Sequence, residues 1–207
     1  MKKGILFDLD GTLWDSGEGV AISWNLALEK QDRPERIDEA YIHSVMGMTM
    51  DAIAHDMLPG EAPEEAERIL ELCMQMENDY LREHGGILFE GLEETLKTLK
   101  ERGYFLGIVS NCQEGYIEAF LGYNRLEKYF DDTENFGHTR HGKGYNIRLV
   151  AERNGLDHVT YLGDTRGDYD AAMEAGVSFL HAAYGFGQVP DGTPAIRDLR
   201  ELTRVFP

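Results

Sequence analysis

The chain has 207 residues, 42% of them hydrophobic and 10% aromatic, which suits one large globular domain or one domain with a small insert. Its formal charge of −18 argues against nucleic acid and anionic membrane surfaces as partners. No apolar run approaches a membrane span, the run after Lys2 and Lys3 breaks at Asp8, too early for a signal-peptide core, and the cysteines are only two, Cys73 and Cys112, and far apart, which argues against a disulfide framework or a cysteine metal site, so a cytoplasmic protein is expected.

The first element is a short apolar run, Ile5-Leu6-Phe7, which reads as a buried strand. It ends in Asp8-Leu9-Asp10-Gly11-Thr12. Alternation along a strand can bring Asp8 and Asp10 to the same side at its end. Two carboxylates held close repel unless a cation, a proton or a phosphoryl partner sits between them. That is the layout of a Mg²⁺ site with a nucleophile and an acid/base. Gly11 permits a turn or a close backbone approach, and Thr12 adds a hydroxyl. Taken alone, the segment also fits a solvated turn.

From Asp15 to His84 the pattern is helical. Val20, Trp24, Ala27 and Leu28 share one helical face. Arg36–His43 and Thr49–Met57 are shorter candidates, and Ala62, Ala66, Ile69, Cys73, Met76 and Tyr80 mark a long amphipathic helix with Pro63 near its start. Residues 15–84 hold 17 acidic and 5 basic side chains, which sets this stretch apart as a module of its own.

From Gly91 onward helix and strand alternate. The spacing predicts a helix through Leu92, Leu96 and Leu99 closed by Gly103, a strand over Tyr104–Val109 and a helix over Glu114–Leu121. A helix over Tyr145–Arg153, a strand over Val159–Leu162, a helix over Gly167–Ala175 stopped by Gly176 and a strand over Val177–Leu180 follow, with a short helix at Ile196–Leu202. Such alternation argues for a parallel sheet covered on both faces, whose ligands bind beyond the C-terminal strand ends. Several of those ends are polar: Asp8 and Asp10 after the first strand, Ser110-Asn111 after the second, and Gly163-Asp164-Thr165-Arg166-Gly167-Asp168 later, with Lys143 just before a helix. Together they supply what phosphoryl transfer requires: a nucleophile, carboxylates for Mg²⁺, and cation and hydroxyl donors for phosphate oxygens.

These segments resemble, in order, the four motifs of the haloacid dehalogenase superfamily: Asp8-Leu9-Asp10-Gly11-Thr12-Leu13, Ile108-Val109-Ser110-Asn111, Lys143, and Gly163 to Asp168 followed by Ala171-Ala172 and Ala175-Gly176. The last is similar to that of the phosphoglycolate-phosphatase-like branch. The resemblance implies a doubly wound, Rossmann-like α/β core (residues 1–14 and 85–207) with an inserted helical cap (15–84). It implies Asp8 as nucleophile and Asp10 as acid/base, Mg²⁺ on Asp8, the backbone carbonyl of Asp10 and Asp164, and phosphate bound by Thr12, Ser110, Asn111 and Lys143. The resemblance also implies Ser110 and Lys143 in the catalytic set, with Asp168 orienting Lys143 or a metal-bound water. Gly144 departs from the pattern, since many relatives have Pro there; His138, Arg140 and His141 nearby read as a solvated loop.

Within the superfamily it resembles, Asp at position 10 implies phosphoryl chemistry rather than dehalogenation, and Thr12 implies a phosphatase rather than a sugar-phosphate mutase. Met46-Gly47-Met48-Thr49 resembles the cap loop that faces the nucleophile, with Trp14, Asp15 and Ser16 at the hinge. The expectation is a Mg²⁺-dependent phosphatase acting through an aspartyl-phosphate on a small phosphorylated metabolite, as monomer or homodimer. The acidic cap favours a neutral leaving group, such as a sugar or polyol, over phosphoglycolate. The alternatives are a mutase of the same superfamily, a non-enzymatic binder of phosphorylated ligands, and a receiver-like signalling domain, the last of which predicts no helical insert.

Overall fold

The computed structural model describes residues 1–207. Strand β1 (Lys3–Phe7) leads through β2 (Trp14–Asp15) into four helices, α1 (Gly17–Lys30), α2 (Glu39–Val45), α3 (Met50–Met57) and α4 (Pro63–His84). The chain returns through β3 (Ile87–Leu88), α5 (Leu92–Glu101), β4 (Phe105–Ser110), α6 (Tyr116–Asn124) and β5 (Asp132–Asn135). It then runs through α7 (Phe136–Thr139), α8 (Lys143–Arg153), β6 (His158–Gly163), α9 (Arg166–Ala175), β7 (Ser178–Ala182), β8 (Ala195–Ile196) and α10 (Leu202–Val205).

Six strands form one parallel sheet in the order β5-β4-β1-β6-β7-β8. The buried β1 sits between β4 and β6, so the chain winds first to one side of it and then to the other. Ligands of such sheets bind at that reversal, beyond the C-terminal strand ends. Alternation sorts the core. Ile5, Phe7, Leu106, Ile108 and Leu162 join one apolar cluster, whereas Leu6, Phe105, Val109 and Tyr161 join another with Ile147 and Ala172 on the opposite face.

The helical insert does not keep a core of its own. Trp24, Leu28, Ile69 and Leu81 belong to the same apolar cluster as Ile5 and Phe7, so insert and sheet share one continuous interior. Its two connections pair as an antiparallel ribbon, Trp14 with Leu88 and Asp15 with Ile87.

Several elements differ from the sequence expectation. The second insert helix begins at Glu39, because the Asp38 side chain accepts the Tyr41 N–H and caps it there. The helix expected from Glu114 begins at Tyr116, after Gly115 in the left-handed region. Lys143 is the first residue of α8 rather than a loop residue before it. The tail expected to be helical over Ile196–Leu202 instead forms β8 and a short 3₁₀ turn, Leu199–Glu201, before α10. Strand β5, Asp-Thr-Glu-Asn, carries no apolar signal; it is an edge strand held by β4 and by Arg153, which pairs with Asp132 at 2.7 Å and Glu134 at 2.6 Å.

Candidate active site

The polar strand ends converge. Asp8 follows β1, its N–H still bonded to the Leu162 carbonyl at 2.8 Å; Ser110 ends β4; Asp164 follows β6. Asp8, Asp164 and Asp168 lie close enough for one cation to touch all three, and all are buried. Lys143 neutralises part of this charge. Its Nζ bonds Asp168 Oδ1 at 2.5 Å and stands 2.9 Å from Asp8 Oδ1, close enough for an ion pair but poorly aligned for a hydrogen bond.

Asp168 does two jobs. One oxygen holds Lys143, while the other accepts from the N–H and hydroxyl of Thr165 at 2.9 and 2.7 Å. Thr165 in turn accepts the Asp168 N–H, a reciprocal cap that starts α9 and fixes the carboxylate. Asp168 thus reaches the site through Lys143.

Asp164 is anchored at one oxygen only. Its Oδ2 accepts the N–H groups of Phe186 and Gly187 at 2.8 and 3.2 Å, and its Oδ1 is buried without a hydrogen-bond partner. Asp8 Oδ1 and the Thr12 hydroxyl are likewise buried without one. The acceptor left open on Asp164, beside an Asp8 oxygen whose one partner is the Lys143 ammonium, is costly unless a cation satisfies it, so the donor set fits a hard divalent ion. Gly11 packs against this spot with φ +74°, and a Cβ there would run into the Asp164 carboxylate.

Burial raises the pKa of Asp8 well above the usual carboxylate range, Asp168 and Asp164 add to the rise, and Lys143 opposes it. Burial, then Asp168, pushes Asp164 up to about 6. For Lys143, burial disfavours the ammonium, but Asp168 and Asp8 outweigh it and raise the pKa.

Asp10 stands apart from this acidic cluster. Its Oδ1 meets the Trp14 indole N–H at 2.9 Å and the hydroxyls of Ser16 and Tyr116, each at 2.8 Å. Burial raises its pKa, while the bonds from Tyr116, Ser16 and Trp14 lower it. Burial, not a neighbouring carboxylate, is what raises it.

The insert closes over the site. The Asn111 amide donates to the Gly47 carbonyl at 2.9 Å, and Asn78 of α4 donates to the Glu114 carbonyl at 2.9 Å. His43 of α2 stacks on Phe186 with ring centres 4.1 Å apart and bonds Asp15 at 2.9 Å. Between insert and sheet lies a narrow cleft of about 50 Å³, lined by Asp8, Asp10, Ser110 and the loop residues Met46, Gly47 and Met48. His138 turns to Glu134 at 2.8 Å, Arg140 lines a separate surface groove, and His141 packs on Tyr145; none joins the acidic cluster. Gly144 lies under the carboxyl group of Glu174, the far end of an exposed and flexible side chain.

The sequence reading missed Tyr116, Glu77, Gln113 and the backbone of Phe186 and Gly187. Both Tyr116 and Glu77 fall inside predicted helices with no local signal of a site; the packing of α6 brings Tyr116 to Asp10, and the docking of the insert brings Glu77 to the cleft.

Residues 5–182 match the family model for haloacid dehalogenase-like hydrolases. The chain is 29% identical to the phosphoglycolate phosphatase of Escherichia coli K12, over 89% of this chain and 82% of that one. A structure described as a predicted phosphoglycolate phosphatase from Haemophilus somnus superposes with a TM-score of 0.84 at 22% identity, covering 99% of this chain and 97% of that one. A mutant of CbbY from Rhodobacter sphaeroides, in complex with xylulose-(1,5)bisphosphate, shares the fold at a TM-score of 0.81 and 18% identity, covering 98% and 96%.

Proposed function

Since the chain belongs to the haloacid dehalogenase-like hydrolases and is a phosphatase of that kind, we propose that Asp8 is its nucleophile, Asp10 its acid/base, and Mg²⁺ its metal. Asp8, the backbone carbonyl of Asp10 and Asp164 would hold the metal, which supplies positive charge against the phosphoryl oxygens when bound. The observation that carries this is the buried Asp8–Lys143–Asp168–Asp164 cluster with an open acceptor on Asp164.

The Asp8 carboxylate attacks phosphorus in line with the ester oxygen. The P–O bond to the leaving group breaks as the O–P bond to Asp8 forms. Asp10 gives its proton to the departing oxygen. It then takes a proton from the water that cleaves the aspartyl-phosphate, which returns Asp8 and releases phosphate. Lys143, Ser110, Asn111 and Thr12 hold the phosphoryl oxygens, and Asp168 keeps Lys143 in place. Closure of the insert excludes bulk water and strengthens these interactions.

The cleft's size supports a small phosphorylated substrate, as do relatives named for phosphoglycolate. The charge of −18 supports a partner list without nucleic acid, and no helix is long and apolar enough to cross a membrane. A cytoplasmic monomer or homodimer completes the proposal. Phosphate release from small phosphomonoesters tests it: release should require Mg²⁺ and stop on chelation, and release indifferent to chelation would remove the metal.

A further inference from the structure

Beyond the phosphoryl end, the cleft is mostly apolar, with Ile42, Val45, Met46, Met48 and Ile53 among the residues that line it. One carboxyl group interrupts it. Glu77 of α4 is 4% exposed and lines the same cleft as Asp8 and Asp10. One of its oxygens accepts from the Trp24 indole N–H, and the other accepts from the Gln113 amide at 3.1 Å. Gln113 is itself fixed by a second bond to Asn78 at 3.2 Å. Glu77 is therefore held in one orientation from α1 on one side and the β4–α6 loop on the other.

No Lys, Arg or His lines the cleft, and Glu77 makes no salt bridge. Each carboxylate oxygen can accept two hydrogen bonds, so each keeps free capacity after its one partner. A buried carboxyl without a cation is costly, and a ligand donor that reaches it relieves that cost. Above about pH 7, where Glu77 is ionised, a ligand carboxylate placed there would meet like charge and no compensating cation. A polyhydroxylated ligand would leave most of its hydroxyls facing apolar side chains.

The geometry points to Glu77 as a specificity-determining residue that selects phosphomonoesters whose short, largely apolar leaving group ends in a hydrogen-bond donor, an ammonium or a single hydroxyl, and rejects those ending in a carboxylate. This rests on the phosphatase chemistry proposed above. It sets the chain apart from the activity for which its curated relatives are named.

Four esters of matched length test it on the wild-type enzyme: aminoethyl, hydroxyethyl and propyl phosphate, and phosphoglycolate. The donor-bearing esters should exceed phosphoglycolate in kcat/KM by about 100-fold, with propyl phosphate between them. The better of the two donors identifies ammonium or hydroxyl as the selected group. In Glu77→Gln the advantage over phosphoglycolate should shrink by about tenfold or more, while propyl phosphate changes little; a purely structural role would lower all four together. Phosphoglycolate as the best ester would overturn the selection and leave the phosphatase chemistry standing. Absence of hydrolysis across all four and across p-nitrophenyl phosphate would overturn both. The ranking is read on wild type, so it does not depend on the variant's folding.

Discussion

Tyr116 reaches Asp10 from 106 residues along the chain, its hydroxyl 2.8 Å from Asp10 Oδ1. Ser16, at the start of the insert, stands 2.7 Å from the same hydroxyl and also bonds Asp10. The acid/base is thus oriented jointly by the sheet's α6 and by the hinge of the insert. Asp10 is in place when the insert is docked.

Tyr116→Phe removes one donor from ionised Asp10 and leaves the ring. The bond lowers the pKa of Asp10, so its loss should raise that pKa. The alkaline limb of kcat/KM, where Asp10 must still be protonated, should move to higher pH, with kcat down about tenfold. A pH–rate profile that coincides with wild type would show that Tyr116 does not tune Asp10.

Asp168→Asn should leave the Lys143 ammonium buried with only Asp8 for charge. Breaking a buried pair on one side costs about 3 kcal/mol, read by urea unfolding. Lys143 loses its anchor, so kcat should fall roughly 100-fold while α9 remains helical. A variant as stable and as active as wild type would refute the positioning role.

Asp164→Ala should raise the Mg²⁺ concentration for half-maximal rate by at least about tenfold. It also strands the N–H groups of Phe186 and Gly187, so some loss of stability should accompany it. An unchanged Mg²⁺ requirement would exclude Asp164 from the metal site.

Glu77 titrates differently in the two states. Burial pushes its pKa up to about 7 from its ordinary value of 4.5, with Trp24 and Gln113 pulling down. Between those values the folded state binds more protons than the unfolded one, so stability falls as pH rises through that window and is flat above it. Glu77→Gln cannot titrate. The stability of wild type minus that of Glu77→Gln should therefore decline from below pH 4.5 to about pH 7, by a few kcal/mol at most. Thermal unfolding of both across that range checks it; a constant difference would mean the carboxyl group is solvated.

The parallel sheet and the polar strand ends were legible in the sequence because each is local. Ile5 to Phe7 is an unbroken apolar run, and Asp8, Ser110 and Asp164 follow directly from strands. Strand β5 was not legible, because pairing to β4 and the ion pairs of Arg153 stabilise it in place of apolar side chains. Asp10 was read beside Asp8 on the strength of strand alternation. The strand ends at Phe7, and the Asp10 carboxylate bonds three donors and is not part of the Asp8–Asp164–Asp168 cluster. The cleft was the least legible part. Glu77, Gln113 and Tyr116 sit on three separate elements, and nothing in their local spacing distinguishes them from surface or core positions.

The central claim is that Asp8 attacks phosphorus. Phosphate release from the four matched esters and p-nitrophenyl phosphate, with Mg²⁺, for wild type and Asp8→Asn, tests it most directly. The account predicts Mg²⁺-dependent release by wild type and none above background by a folded Asp8→Asn variant. Release by that variant at the wild-type rate would contradict it.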